Sequence, residues 1–249
     1  MNYTESHEIL RSLFINNSDV IRITDSSVKI HNIPFRSDPD KDIFVSIKDR
    51  MIHENHCFTY PVLEPPIPGK KVILLLHGLN ERSWIKYLAW AHRLAENTNS
   101  YVILFPISFH INRSPESWKD PKRMVPFVEN RSIEIGKTDK LSFANVALSN
   151  RLTEDPMRFF VSGHQTVSDL IKLLSSIRTG EHDIIPGDSH VDIFAYSIGA
   201  FLAEILMLSD PERLFTNSRL FMFCGGSVFS NMNGTSKLIM DSYAFKKVY

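Results

Sequence analysis

Apolar residues are spread unevenly along this chain, and their spacing changes character after the proline-rich break Pro65-Pro66-Ile67-Pro68-Gly69. Beyond the break they gather into short unbroken runs at 71–76, 101–107, 191–196 and 220–223. Runs of this kind suit strands of a parallel sheet that is buried on both faces. Between them the period lengthens. Ile85, Leu88, Ala89, His92, Leu94 and Ala95 share one side of a helix predicted over 83–97, with Ser83 as its cap. Further helices are predicted over 166–178, closed by Gly180, and over 198–208. Strand and helix alternate four times, which predicts an α/β fold with a mainly parallel sheet, flanking helices and right-handed crossovers.

Before the break the pattern is weaker. Ile9, Leu10, Leu13 and Phe14 have helical spacing within 5–15, and 20–23, 28–33, 43–47 and 56–63 read as short strands between Asp, Ser and Pro turns. Residues 1–64 are expected to join 65–249 in one domain. The stretch 108–163 is too long for a plain strand-to-helix loop and carries Pro115, Pro121, Pro126 and Pro156. Such a connection leaves the carboxyl edge of the sheet, where α/β folds bind ligands. It reads as a lid over that edge, with a packed structural insertion as the alternative.

Charge narrows the partners. Lys plus Arg and Asp plus Glu balance at 28 each, so no global field favours nucleic acid or an anionic membrane. Arg113, Lys119, Lys122, Arg123 and Arg131 cluster, but Glu116, Asp120 and Glu129 are mixed among them, which predicts a solvated face, with an anion-binding patch as the alternative. Of the two cysteines, Cys224 lies in an apolar run and is expected to be a buried thiol, unpaired with Cys57. A basic-then-apolar leader and a bilayer-length apolar run are both missing, so the cytoplasm is the expected location. The sequons at Asn2, Asn16, Asn112, Asn130 and Asn233 then read as chance matches. No His or Cys grouping has metal-ligand spacing, and no metal or cofactor is expected.

The chemistry concentrates at the end of the third run, where Val-Asp-Ile-Phe-Ala-Tyr delivers Ser197, and Ile198 and Gly199 open the next helix. A serine on so tight a corner has its hydroxyl pushed clear of the sheet. The corner needs small residues two before and two after, here Ala195 and Gly199. Ser197 is the candidate nucleophile, and Ile198 N–H a candidate donor to an oxyanion. A second donor should come from the loop after an earlier strand. There Gly78 permits close approach, Leu79 N–H is the candidate, and His77 is expected to support the loop. Either motif alone is common. The ordered pair, each after a buried-type strand and before a helix, is far more specific.

At these residues the chain resembles the α/β-hydrolase superfamily over roughly 70–229. The phrase His-Gly-Leu-Asn-Glu-Arg-Ser-Trp-Ile-Lys-Tyr-Leu looks like an uncharacterised bacterial branch of it. The resemblance implies an α/β-hydrolase fold, Ser197 as nucleophile, and an acid and a histidine after the serine. The chain departs from that order, because 198–249 contains no histidine. His190 precedes the serine at the far end of its strand, His110 is the best-placed substitute base, and Asp241 is the candidate orienting acid. The expectation is a serine hydrolase or acyl-transfer enzyme for a small ester or amide, with its histidine in a lost C-terminal part. The alternative is a non-catalytic binding or assembly module. The 220–223 edge would then pair with further strands or with a second copy.

Overall fold

Alternation along the central strands decides the layering. In this computed structural model, which describes residues 3–14, 18–23, 25–38, 43, 45–136, 141–225, 229–231 and 233–248, Val72, Leu74 and Leu76 face one core while Leu75 faces another. The same split separates Tyr101, Ile103 and Phe105 from Val102 and Leu104. A period of two with both sets apolar is what a sheet covered on both faces requires.

The elements run α1 (Tyr3–Leu13), β1 (Val20–Arg22), β2 (Lys29–Arg36), α2 (Ile47–Arg50), α3 (His53–His56), β3 (Cys57–Glu64), β4 (Lys71–Leu76), α4 (Ile85–Thr98) and β5 (Tyr101–Leu104). They continue as α5 (Pro121–Ile135), α6 (Phe143–Glu154), α7 (Met157–Thr179), β6 (His190–Tyr196), α8 (Ile198–Ser209), β7 (Leu220–Phe223) and α9 (Ser242–Val248). The sheet has seven strands in the order β1-β2-β3-β5-β4-β6-β7. From β5 to β7 the neighbours are parallel, while β1, β2, β3 and β5 pair antiparallel. Helices α7 and α8 cover one face through Leu170, Leu173, Leu174, Ala203 and Leu206, and α1 and α4 cover the other through Leu10, Leu88 and Ala91. The α/β arrangement is what the pattern of runs predicts, and its α/β-hydrolase-like form is what the resemblance implies.

Several local expectations fail for identifiable reasons. The described residues of 43–47 are not in a strand: Ser46 caps α2 instead, its hydroxyl accepting from Asp49 N–H at 3.2 Å. Helix α4 begins at Ile85 with Trp84 at its cap, so Ser83 does not cap it. Strand β5 stops at Leu104, because Pro106 has no N–H and Ile107 gives its own to the His77 ring. Helix α7 starts at Met157, well before 166, so the end of the insertion is part of the helix covering the sheet. Cys224 is exposed, as is Cys57. Asn2, Ile15, Asn16, Phe44 and Gly226, which entered the sequence reading, lie outside the described residues.

The basic cluster corrects most sharply. Arg113 and Arg131 are fully buried rather than solvated. Arg113 pairs with Asp169 at 2.7 Å, and Arg131 with Asp241 at 2.8 Å. The insertion itself is helical. Its α6 packs Leu148 and Leu152 against Met240 and Ala244 near the end of the chain. Strand β7 remains an exposed edge, with Phe221 57% accessible.

Candidate active site

Ser197 sits between β6 and α8 with φ 56° and ψ −117°. An L-residue held there costs about 1–3 kcal/mol and persists only where the surroundings over-determine it. Here Ser197 N–H is bonded to Phe223 O at 3.0 Å, and Ser197 O accepts from Ala200 N–H at 2.9 Å. The turn is possible only because its neighbours are small. A Cβ on Gly199 would lie 2.7 Å from both Leu76 O and His77 O, and Ala195 is fully buried. Gly199→Ala is therefore expected to cost about 1–3 kcal/mol by overpacking. Gly163→Ala, at a helical position with nothing within 4 Å, should be neutral or stabilising. Urea midpoints of the two variants check this contrast; equal midpoints would refute the steric account.

The loop after β4 is tied down residue by residue. Gly78 N–H donates to Tyr87 Oη at 2.9 Å, and Tyr87 O–H donates to Glu81 at 2.7 Å. Lys86 completes the clamp by binding Glu81 and lying 4.2 Å from the Tyr196 ring centre. A Cβ on Gly78 would meet that ring at 2.9 Å. With Gly78 N–H occupied, Leu79 N–H and Ile198 N–H have no protein acceptor among the described residues. The first N–H groups of a helix are in any case free to bind a ligand anion.

Two histidines brace this loop. His77 Nδ1–H donates to Gly78 O at 2.8 Å, and His77 Nε2 accepts from Ile107 N–H at 2.9 Å. Both ring nitrogens are committed, which fixes the neutral tautomer and links the loop to the start of the insertion. His110 stacks beside it at 5.4 Å between ring centres and donates Nδ1–H to Ser108 O at 2.9 Å. Its Nε2 is buried with no partner among the described residues. Burial pushes His77 down to about 4, and burial with the His77 ring alongside pushes His110 down to about 3. Both are neutral near pH 7.

Leu79, Ile198 and His110 line one cavity of about 80 Å³ at the carboxyl edge of the sheet, with Ile107, Leu148 and Arg151. Of the sequence candidates, Leu79, Ile198 and His110 reach the cavity wall, whereas Ser197, His77, Gly78 and Gly199 are not among its lining residues, and neither is Asp241. Both its oxygens accept from Arg131, at 2.8 and 2.9 Å, and one also caps α9 through Ala244 N–H. It orients no histidine. His190 binds Asp192 at 2.9 Å, at the opposite end of β6. Sequence reasoning overlooked Arg151, although a cation beside Ala147, Leu148 and Leu152 on one stripe of α6 is the signal that marks it. Among the described residues no group of three or more metal-ligating side chains occurs, and no helix is long and apolar enough to cross a membrane.

Sheet order and the strand-to-helix corner at Ser197 give the chain an α/β-hydrolase-like fold. The chain belongs to a family of unknown function, DUF6051, whose sequence model matches residues 39–249. Among solved structures it is similar to a cold-adapted esterase from an Arctic intertidal metagenomic library. That match has 13% identity, covers 78% of this chain and 61% of that one, and gives a TM-score of 0.43. It is also similar to a mutant of esterase rPPE, at 9% identity over 100% of this chain and 59% of that one, with a TM-score of 0.42. The chain therefore spans about three fifths of the length of each. No curated protein matches it.

Proposed function

We propose that Ser197 is the nucleophile of a serine carboxyl-ester hydrolase or related acyl-transfer enzyme of the α/β-hydrolase superfamily, acting on a small ester or amide. The observation that carries this reading is the Ser197 backbone, with φ 56° on a strand-to-helix corner, beside two N–H groups without protein acceptors. In the reaction Ser197 Oγ would bond to the carbonyl carbon while its proton passes to a base. Leu79 and Ile198 N–H would hold the resulting oxyanion, and the alcohol would leave to give an acyl-serine that water then cleaves. Removing one such donor typically costs about 10²–10³ in rate.

The base is the unassigned part. No histidine follows Ser197 within this sequence, and burial lowers His110 to about 3, which leaves its open Nε2 a weak base. That observation supports a second reading, in which the same scaffold is a non-catalytic binding module. Treating the 249-residue chain with a fluorophosphonate and mapping the adduct separates the two. The hydrolase reading expects label on Ser197, lost in Ser197→Ala and unchanged within about twofold in His110→Gln. Label that survives Ser197→Ala overturns the nucleophile assignment, and an unlabelled parent chain overturns the hydrolase reading for these 249 residues.

A further inference from the structure

Among the described residues Arg113, Arg131 and Arg158 are buried with a carboxylate each, and a fourth inward-turned arginine, the half-buried Arg151, has none. Arg113 pairs with Asp169, Arg131 with Asp241, and Arg158 with Asp49 at 2.7 Å. Inward charges are paired because an isolated ion loses its hydration with nothing in return. Arg151 is the exception. Its Nε–H donates to Ala147 O at 2.8 Å, Nη2 to Asn80 Oδ1 at 3.2 Å and Nη1 to Phe109 O at 3.5 Å, all neutral acceptors. Its guanidinium carbon lies 4.7 Å from the Trp118 ring centre, which fixes the plane. Among the described residues no carboxylate is within ion-pair distance of it.

The unpaired arginine is also one that lines the cavity holding Leu79 and Ile198. A guanidinium has five N–H donors, and three are used, leaving one on each terminal nitrogen. Burial lowers Arg151 to about 9, with the like charges of Arg158 and Arg82 adding to it, so the group is cationic near neutrality. The remaining wall is largely apolar, with Ile107, Leu148, Leu152 and Phe201. At about 80 Å³ the space is near half that of an apolar cavity able to hold benzene, so the part of a chain that it encloses is short.

We propose that the counter-charge of Arg151 is supplied by the ligand: the cavity takes a short acyl chain bearing a carboxylate, whose two oxygens accept from the guanidinium. Which carbonyl is attacked rests on the nucleophile reading above; recognition of the anion does not. A carboxylate suits the planar fork better than a point charge would, and the bond is charge-assisted.

Calorimetric titration of the 249-residue Ser197→Ala chain with butyrate and with butyramide, which differ in charge at nearly equal size, tests this directly. Butyrate is expected to bind at least about tenfold tighter, and Arg151→Gln to bring the two within about twofold. Equal affinity in the Ser197→Ala parent, or a preference that persists after Arg151→Gln, overturns the proposal. Should Arg151→Gln not fold, as judged by circular dichroism, Arg151→Lys replaces it. That variant keeps the charge without the fork and is expected to lose most of the preference. Inorganic phosphate serves as the other oxyanion, and phosphate binding without butyrate binding overturns the carboxylate assignment. A Ser197 adduct without anion selectivity defeats this inference alone; anion selectivity without an adduct defeats the hydrolase reading alone.

Discussion

Between pH 6.5 and about pH 4 the folded chain is expected to lose stability steeply, by up to about 2.7 kcal/mol per pH unit from His77 and His110 together. Unfolded, both histidines take up protons near pH 6.5. Folded, they resist until about 4 and about 3, because burial penalises the charge. The unfolded state therefore binds more protons throughout this window. The stability contributed is complete above 6.5 and drains away as pH falls toward the folded values. The rings are 5.4 Å apart, so they titrate as a coupled pair rather than as two independent sites. Protonating His77 Nε2 would also break its bond from Ile107 N–H, releasing the loop that holds Gly78 and Leu79. Urea denaturation at half-unit steps from pH 7.5 to 4.5 measures the slope. His110→Gln should lower it by about 1.4 kcal/mol per unit. A flat profile, or an unchanged slope in that variant, would show that these rings are not held neutral by the fold.

Asp169→Ala is expected to cost about 3–5 kcal/mol, the penalty for leaving Arg113 buried without its partner. For a domain of this size that is a melting-point drop of about 6–20 °C. The carboxylate does more than neutralise Arg113. It also accepts from Ser37 Oγ at 2.9 Å, while Arg113 reaches Asn55 Oδ1, Asn55 O and Pro106 O. Asn55 in turn receives Ser108 O–H at 2.8 Å and Phe109 N–H at 3.1 Å, so the network sets the floor under His110. Replacing both partners by apolar residues, as in Asp169→Leu with Arg113→Met, should recover much of the loss, since the stranded charge is then gone. Asp169→Ala melting within 2 °C of the parent would mean that water reaches Arg113 and that the network carries little.

How much was legible depends on whether the determinant is local. Strand β4 is legible to the residue, because five apolar positions in a row after Lys71, with no breaker, can hardly be anything else beside a proline-rich turn. The corner at Ser197 was legible for the same reason: Ala195, Ile198 and Gly199 are its own neighbours. By contrast, nothing near 166 announces that α7 begins at Met157. Its first turns are polar on one side, and their burial comes from packing against segments far away in the chain. Strand β5 ended early because Ile107 N–H found His77, thirty residues upstream. The cations at 113 and 131 looked solvated, since charge mixing is visible along the chain and a carboxylate at 169 or 241 is not.

By itself, the sequence determined the central strands, the strained corner and the short-range steric demand for glycine at 199. All of these follow from contacts within a few residues or from hydrophobic periodicity. Only the tertiary structure decided which charges are paired, which histidines are held neutral, and that Leu79, Ile198 and Arg151 share one cavity. Those outcomes depend on desolvation and on distances between segments from 30 to 110 residues apart and more, and the strength of a buried charge is set by what the fold places beside it.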